Sequence, residues 1–154
     1  MKPALNILIR KARKEDSKNI LRLINELAEF ENLVPPDSAA KKRLIKDAFS
    51  EDPPFRILLA KKSNIIVGYA FYLFTYSSFL ARKTLYLEDI FISGKYRNQG
   101  IGKLFFKKLT QIAKKNKCGR MEWVVLDWNV NAIKFYYKLG AKELKEWKTY
   151  RMII

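Results

Sequence analysis

Two hydrophobic periods alternate along the chain. From Asn6 to Ala12, Ile7 and Ile9 alternate against Asn6, Leu8 and Arg10, which predicts a first strand. Asp16 and Ser17 then open a helix in which Ile20, Leu23, Ile24, Leu27 and Ala28 recur at steps of three and four, an apolar stripe running to about Asn32. Pro35 and Pro36 break the chain, and Asp37 or Ser38 caps a second helix through Phe49 with Leu44, Ile45 and Ala48 inward. Arg56 to Lys61 and Ile65 to Tyr76 read as strands joined across Lys62, Ser63 and Asn64, an antiparallel hairpin. A strand at 85–92 follows, with Leu85, Leu87, Asp89 and Phe91 on one face and Tyr86, Glu88, Ile90 and Ile92 on the other, so two acids lie inside it.

Ile101 to Lys117 is amphipathic, Leu104, Phe105, Phe106, Leu109, Ile112 and Ala113 opposing Lys107, Lys108, Lys114 and Lys115, and Gly119 marks its stop. Arg120 to Asp127 predicts a further strand, Asn131 to Leu139 a helix closed by Gly140, and Glu143 to Ile153 a last strand bearing Leu144, Trp147, Tyr150 and Met152. The order β-α-α-β-β-β-α-β-α-β predicts an α/β fold. No repeat or linker interrupts it, so residues 1–154 read as a single domain.

Composition narrows the chemistry. The 31 Lys and Arg against 15 Asp and Glu give a formal net charge of +16, which suits anionic partners such as nucleotide phosphates or nucleic acid. The lysines are scattered and no nucleic-acid motif accompanies them, which leaves a merely soluble surface as the plainer reading. There is no histidine, which removes imidazole bases, Ser-His-Asp and Cys-His arrangements and most zinc sites, and no metal is expected. One cysteine, Cys118, cannot close an internal disulfide, and no apolar signal segment opens the chain, so a cytoplasmic protein is expected. Residues 65–81 carry no charge, but their glycine, serines, threonine and tyrosines in a β-branched, aromatic context favour a buried strand over a membrane span.

The stretch from Leu85 to Gly102 runs from a strand through a glycine-bearing loop into a helix, a cradle for an anion. The spacing excludes a P-loop, and a dinucleotide fingerprint would need a third glycine at Phe105. What remains is Arg97-x-x-Gly100-x-Gly102 between a central strand and a helix.

That motif resembles the acyl-CoA-binding signature of the GNAT N-acetyltransferase superfamily. Tyr86-Leu87-Glu88-Asp89, the run from Trp128-Asn129 to Phe135-Tyr136, Gly140-Ala141 and the segment Ile20 to Ala28 resemble its diamine, or spermidine/spermine, acetyltransferase branch. The resemblance spans residues 7–144 and implies a mixed, mostly antiparallel central sheet flanked by helices. It implies acetyl-CoA as co-substrate. Its pyrophosphate would meet the N–H groups of residues 97–102, with charge from Arg97 and Lys103; Arg97, Asn98, Gln99, Gly100, Ile101, Gly102 and Lys103 are thus cofactor residues. Ile90, Phe91 and Ile92 would pair with the pantetheine arm, and Asn129 would reach it from beyond the next strand.

An amine of pKa about 10.4 must lose a proton before it attacks, and Glu88 is the candidate base, through a water. Asp89, on the opposite face, is an orienting or fold-supporting group. The leaving thiolate needs a proton, and Tyr136 stands at the family's general-acid position, with Tyr137 as its rival. Phe30 and Glu31 match an aromatic-acid pair that contacts substrate in the polyamine enzymes, and Glu88 and Glu122 add acids. Glu26, Glu29 and Glu31 in the last turn of the first helix oppose its dipole at about 0.3–1 kcal/mol each, which invites a functional reason.

The expected activity is acetyl transfer to a polyamine, diamine or related small amine in a ternary complex. The alternatives are a lysine or N-terminal protein acetyltransferase, and an inactive basic nucleic-acid-binding module on the same fold. The family implies a homodimer, for which Trp147, Tyr150 and Met152 offer apolar surface.

Overall fold

The computed structural model describes residues 6–154, which divide into two compact units, one ending at Trp123 and one comprising Val124–Ile154. The first holds β1 (Ile7–Lys11), α1 (Ser17–Glu31), α2 (Ser38–Ala48), β2 (Arg56–Lys62), β3 (Ile65–Ser77), β4 (Arg82–Ile92), α3 (Ile101–Lys115) and β5 (Arg120–Glu122). The second holds α4 (Val130–Lys138). The five strands form one sheet in chain order, with β1 to β4 antiparallel and β5 parallel to β4. The mixed sheet and the element order from β1 to α4 are those the sequence predicts.

The local chemistry explains the joints. Asp16 accepts both arms of the Arg10 guanidinium at 2.7 and 2.8 Å and the Arg13 N–H at 2.7 Å, which ties the end of β1 to the start of α1. Asp37 caps α2 by accepting from the Ala40 N–H at 2.7 Å. On one face of the sheet, Ile20 and Leu23 of α1 bury against Ile57, Leu59, Ile66, Tyr69 and Phe91, with Leu44 and Ala48 of α2 beside them. Leu58 and Ala60 alternate to the opposite face and are equally buried, so β2 is covered on both sides. α3, packed on β1, β2, β4 and β5, buries Ile101, Phe105, Phe106, Leu109 and Ala113.

β4 departs from the simple alternation. Phe71 pairs with Asp89 but the next residue, Tyr72, pairs with Leu87, so Glu88 is the extra residue of a β-bulge. The bulge reverses side-chain parity along the strand. Leu85 and Leu87 share a face with Phe74 and Tyr72, whereas Asp89 and Phe91 share the opposite face with Phe71 and Tyr69. The four residues 85, 87, 89 and 91 therefore do not lie on one face as uninterrupted alternation predicts.

Two further strand predictions are corrected. β5 ends at Glu122, because its ladder with β4 comprises only Thr84–Arg120, Leu85–Met121 and Tyr86–Glu122. The bulge two residues past Tyr86 bends and twists β4, which works against continuing a flat parallel ladder. The predicted last strand, 143–153, is not one: alternation supplies a two-faced segment, but a strand exists only where its N–H and C=O groups meet a partner ladder. Trp147, Tyr150 and Met152 are accordingly exposed, at 75%, 88% and 84%.

Candidate active site

The loop between β4 and α3 is anchored before it becomes a cradle. The Ser93 N–H donates to the Val67 carbonyl at 2.9 Å, and the Ser93 hydroxyl donates to Glu26 at 2.5 Å; Glu26 also pairs with Arg22. That accounts for one of the acids near the end of α1 structurally. Gly68 lets β3 and β4 approach closely here, since a Cβ on it would lie 2.7 Å from the Phe91 carbonyl oxygen. Beyond a short 3-10 turn, Asn98 and Gly100 take left-handed backbone angles, φ 60° and 80°, and Gly100 begins α3.

The Leu104 N–H reaches back to the Gly100 carbonyl at 3.2 Å as the first bond of the helix, so the N–H groups of Ile101, Gly102 and Lys103 have no helical acceptor behind them. A Cβ on Gly100 would meet nothing within 4 Å, which leaves that side of the turn open to a ligand. Donors, a positive dipole end and open space together fit a pyrophosphate.

Arg97 also has structural partners in this loop. Its N–H donates to the Gly94 carbonyl at 3.2 Å and its Nε to the Ile92 carbonyl at 2.9 Å, while its guanidinium lies over Phe30 and Phe91, 4.4 and 5.3 Å from the ring centres. Its backbone and side chain both brace the loop from below. A cation the sequence did not single out comes from β2: Lys62 Nζ donates to Gln99 Oε1 at 2.6 Å. The Gln99 amide in turn donates to the Lys95 carbonyl at 3.3 Å.

Upstream, β4 pairs on both sides only as far as Tyr86. From Leu87 to Ile92 its ladder is with β3 alone, so on the β5 side the backbone of Ile90, Phe91 and Ile92 has no strand partner among the described residues. An extended arm can add to such an edge by main-chain hydrogen bonds.

The bulge sits at the start of this stretch and gathers acids. Asp89 and Tyr86 fall on the same face despite being three residues apart, and Glu122 joins them as the partner of Tyr86. The Tyr69 hydroxyl donates to Asp89 at 3.1 Å. Burial pushes the Asp89 carboxyl up to about 6, with the Glu88 and Glu31 charges adding and the Tyr69 hydrogen bond opposing. Burial also raises Glu31. Tyr69 lies far above its ordinary value through burial first, then Asp89, Glu31 and Glu88; Tyr86 is raised by burial, then by Glu88, Glu122 and Asp89. Glu31, Glu88 and Asp89 thus act on Tyr69, and Glu88, Asp89 and Glu122 on Tyr86. Phe30, 6.3 Å from Phe91 between ring centres, borders the same group. Glu88 is exposed and Glu122 is paired with Arg120 at 3.0 Å. The sequence assigned no part at the site to Tyr69, Lys62 or the Tyr86 side chain itself; an acid at an otherwise apolar strand position, Asp89, was the signal that a polar partner lay opposite.

In the second unit, Asn129 caps α4, its side-chain oxygen accepting from the Ala132 N–H at 3.3 Å. Tyr136 is half-buried, its ring 5.7 Å from that of Phe135. The Tyr137 hydroxyl donates to Glu143 at 3.0 Å, which raises its pKa. Cys118 follows α3, its thiol raised mainly by burial, the opposite of an activated nucleophile. Among the described residues no three His, Cys, Asp or Glu side chains are arranged to hold a metal, and no helix is long and apolar enough to cross a membrane.

A mixed sheet whose strand β4 loses one neighbour and continues into a phosphate-type cradle fits a transferase that takes an acyl-CoA. The chain belongs to the acetyltransferase (GNAT) family, whose model matches residues 8–141, and it is an N-acetyltransferase with acetyl-CoA as donor. It is 39% identical over 157 residues to the thialysine N-epsilon-acetyltransferase of Sus scrofa, covering 95% of this chain and 92% of that protein. It is 37% identical over 153 residues to the human spermidine/spermine N(1)-acetyltransferase-like protein 1, covering 93% of this chain and 22% of that one. These likenesses agree with the resemblance to the diamine branch. Among solved structures, an integron cassette protein of V. cholerae superposes with a TM-score of 0.80 at 25% identity, over 97% of this chain and 94% of that one.

Proposed function

We propose that the protein acetylates a primary amine of a small cation, a polyamine, a diamine or a thialysine-like amino acid, by direct transfer in a ternary complex. The observation that carries this reading is that the register sets Tyr86, Asp89 and Glu122 on one face of the sheet with exposed Glu88 in the bulge between Leu87 and Asp89, beside the unpaired edge of β4, in a chain of net charge +16. A cluster of acids in a basic protein draws in a polycation that the rest of the surface repels. The names of the two relatives, a thialysine and a spermidine/spermine-type acetyltransferase, point the same way.

Acetyl-CoA supplies an activated acetyl thioester. The N–H groups from Asn98 to Lys103 would hold its pyrophosphate, with Lys62 adding charge, and Ile90 to Ile92 would pair with its arm. The amine nitrogen forms a bond to the acetyl carbon as the carbon–sulfur bond breaks. Glu88, unpaired at the bulge and exposed, takes the ammonium proton through a water, and Tyr136 returns one to the sulfur. Residues 1–154 are read as one catalytic domain, consistent with a family match that crosses both units. Exposed Trp147, Tyr150 and Met152 suit a homodimer contact, which sedimentation would test.

The test is thiol release from acetyl-CoA across spermidine, spermine, short diamines, lysine, thialysine and a lysine-bearing peptide. Turnover on one small-amine class, slowed at least tenfold in Tyr136→Phe and little in Tyr137→Phe, is the expected result. Turnover on the peptide alone would replace the small amine with a protein acceptor. Acetyl-CoA binding without turnover on any of these amines would refute the small-amine acceptor.

A further inference from the structure

At the end of α3 remote from the cradle lies a second concavity, about 590 Å³, between the β3–β4 turn and the segment following α3. Its lining includes Arg82, Lys83, Lys114 and Lys117 together with Tyr76 and Cys118, and no acid. α3 is 15 residues long, which separates this cleft from the Gly100 turn by about 22 Å at about 1.5 Å per residue. It thus lies apart from the cofactor cradle.

Three features characterise it. The cations are exposed and converge from two elements, Arg82 and Lys83 from the start of β4, Lys114 and Lys117 from the end of α3 and just beyond. The carbonyl end of α3 carries a partial negative charge of about half a unit, which Lys114, Lys115 and Lys117 outweigh. Aromatic surface accompanies the charge: Tyr76 lines the cleft at 67% exposure, and Phe79, in the adjoining turn, is 99% exposed. The turn is held in shape, the Leu80 N–H donating to the Ser77 hydroxyl at 3.2 Å and the Gly119 N–H to the Lys83 carbonyl at 2.9 Å.

We propose that this cleft binds single-stranded nucleic acid. Cations on two walls track a phosphate backbone, and flat aromatic faces beside them accept bases without regard to sequence, the combination that serves single strands elsewhere. A flat bilayer would touch only the rim of a concavity, and a small anion would leave Tyr76 and Phe79 unused. The enzyme would then work while tethered to a polyanion, which itself concentrates polycationic amines around it.

The experiment is fluorescence anisotropy of a labelled 15-nucleotide oligouridylate with the full chain. Lys114→Glu with Lys117→Glu should weaken binding at least tenfold, while Lys42→Glu with Lys46→Glu, an equal charge change on α2, should change it less than threefold. Tyr76→Ala and Phe79→Ala should each weaken it about fivefold or more. Neutralising about three or four phosphates gives a slope of log K against log salt of about −2 to −3. Acetyl transfer by the Lys114/Lys117 variant should be unchanged, which verifies its folding. Equal losses in both double variants would reduce the effect to diffuse charge and overturn the proposal. So would anionic phosphatidylserine vesicles outcompeting the strand, or uridine monophosphate displacing it at equal concentration.

Discussion

The hydroxyl of Tyr69 donates to the Asp89 carboxylate at 3.1 Å, joining the core of the α1 face to the acids of the central strand. Tyr69 is fully buried, so this bond brings a polar group into the apolar interior and leaves Asp89 desolvated at its margin.

Asp89 should therefore cost stability when ionised. Its folded value of about 6 lies above its ordinary value, so the folded state binds the extra proton; stability is highest below about 4 and falls as pH rises to about 6. Asp89→Asn should remove that slope and stabilise the protein by about 1–3 kcal/mol at pH 7.5, with a much smaller gain at pH 4.5. Urea unfolding at the two pH values checks it; an equal effect at both would contradict the assignment.

Asp16 has the opposite sign. The Arg10 guanidinium, hydrogen-bonded to it, holds its carboxyl below the usual carboxylate range despite burial, so its contribution is present above about pH 4 and lost as pH falls through the depressed value. Asp16→Ala leaves Arg10 and the Arg13 N–H without their acceptor and should cost about 2–4 kcal/mol at pH 7, less in strong acid.

The cluster of acids predicts a specific kinetic split. Glu31→Gln and Glu122→Gln should each raise KM for a diamine about three- to tenfold with kcat little changed, because they remove attraction common to ground and transition states. Added salt should narrow the difference from wild type. A loss confined to kcat would instead give these residues a part in the chemistry.

Lys62 should matter to the donor and not to the acceptor. Lys62→Met should weaken acetyl-CoA about three- to tenfold by calorimetry and flatten the salt dependence, with no change in amine KM at saturating donor.

Gly68→Ala should lower stability by about 1–3 kcal/mol, since the added methyl meets the Phe91 carbonyl, a backbone atom that cannot swing aside. Thermal unfolding reads this directly, and an unchanged Tm would show that the two strands can part there.

The sequence disclosed those features that repeat over a short span. The stripes of α1 and α3, the proline break before α2 and the hairpin of β2 and β3 each follow from a local period or a capping residue, and their ends fall within about two residues of those predicted. The Gly100 turn was legible because left-handed backbone at the start of a helix calls for glycine. The rest depends on partners. Residues 143–153 alternate like a strand but lack a ladder, and Lys62 meets Gln99 across 37 positions that no periodicity links. The bulge at Glu88 was hidden because Leu-Tyr-Leu-Glu-Asp-Ile-Phe-Ile alternates smoothly by hydropathy, and only the register with β3 shows one residue too many. Arg97 was legible as a charge beside the cradle, but the two aromatic rings and the carbonyl that hold its side chain lie 5 to 67 positions away and were not.

The extra residue in β4 carries chemistry that the ladder does not rest on. Glu88 has no partner there, and the pairs on either side of it, Leu87 with Tyr72 and Asp89 with Phe71, already stand opposite consecutive residues of β3. Deleting it would restore regular pleating with both pairs in place and Leu87 and Asp89 still on opposite faces, removing only the local bend and the carboxylate that the bulge presents. Position 88 is thus a place where the sheet's architecture makes almost no claim, and where chemistry is free to change.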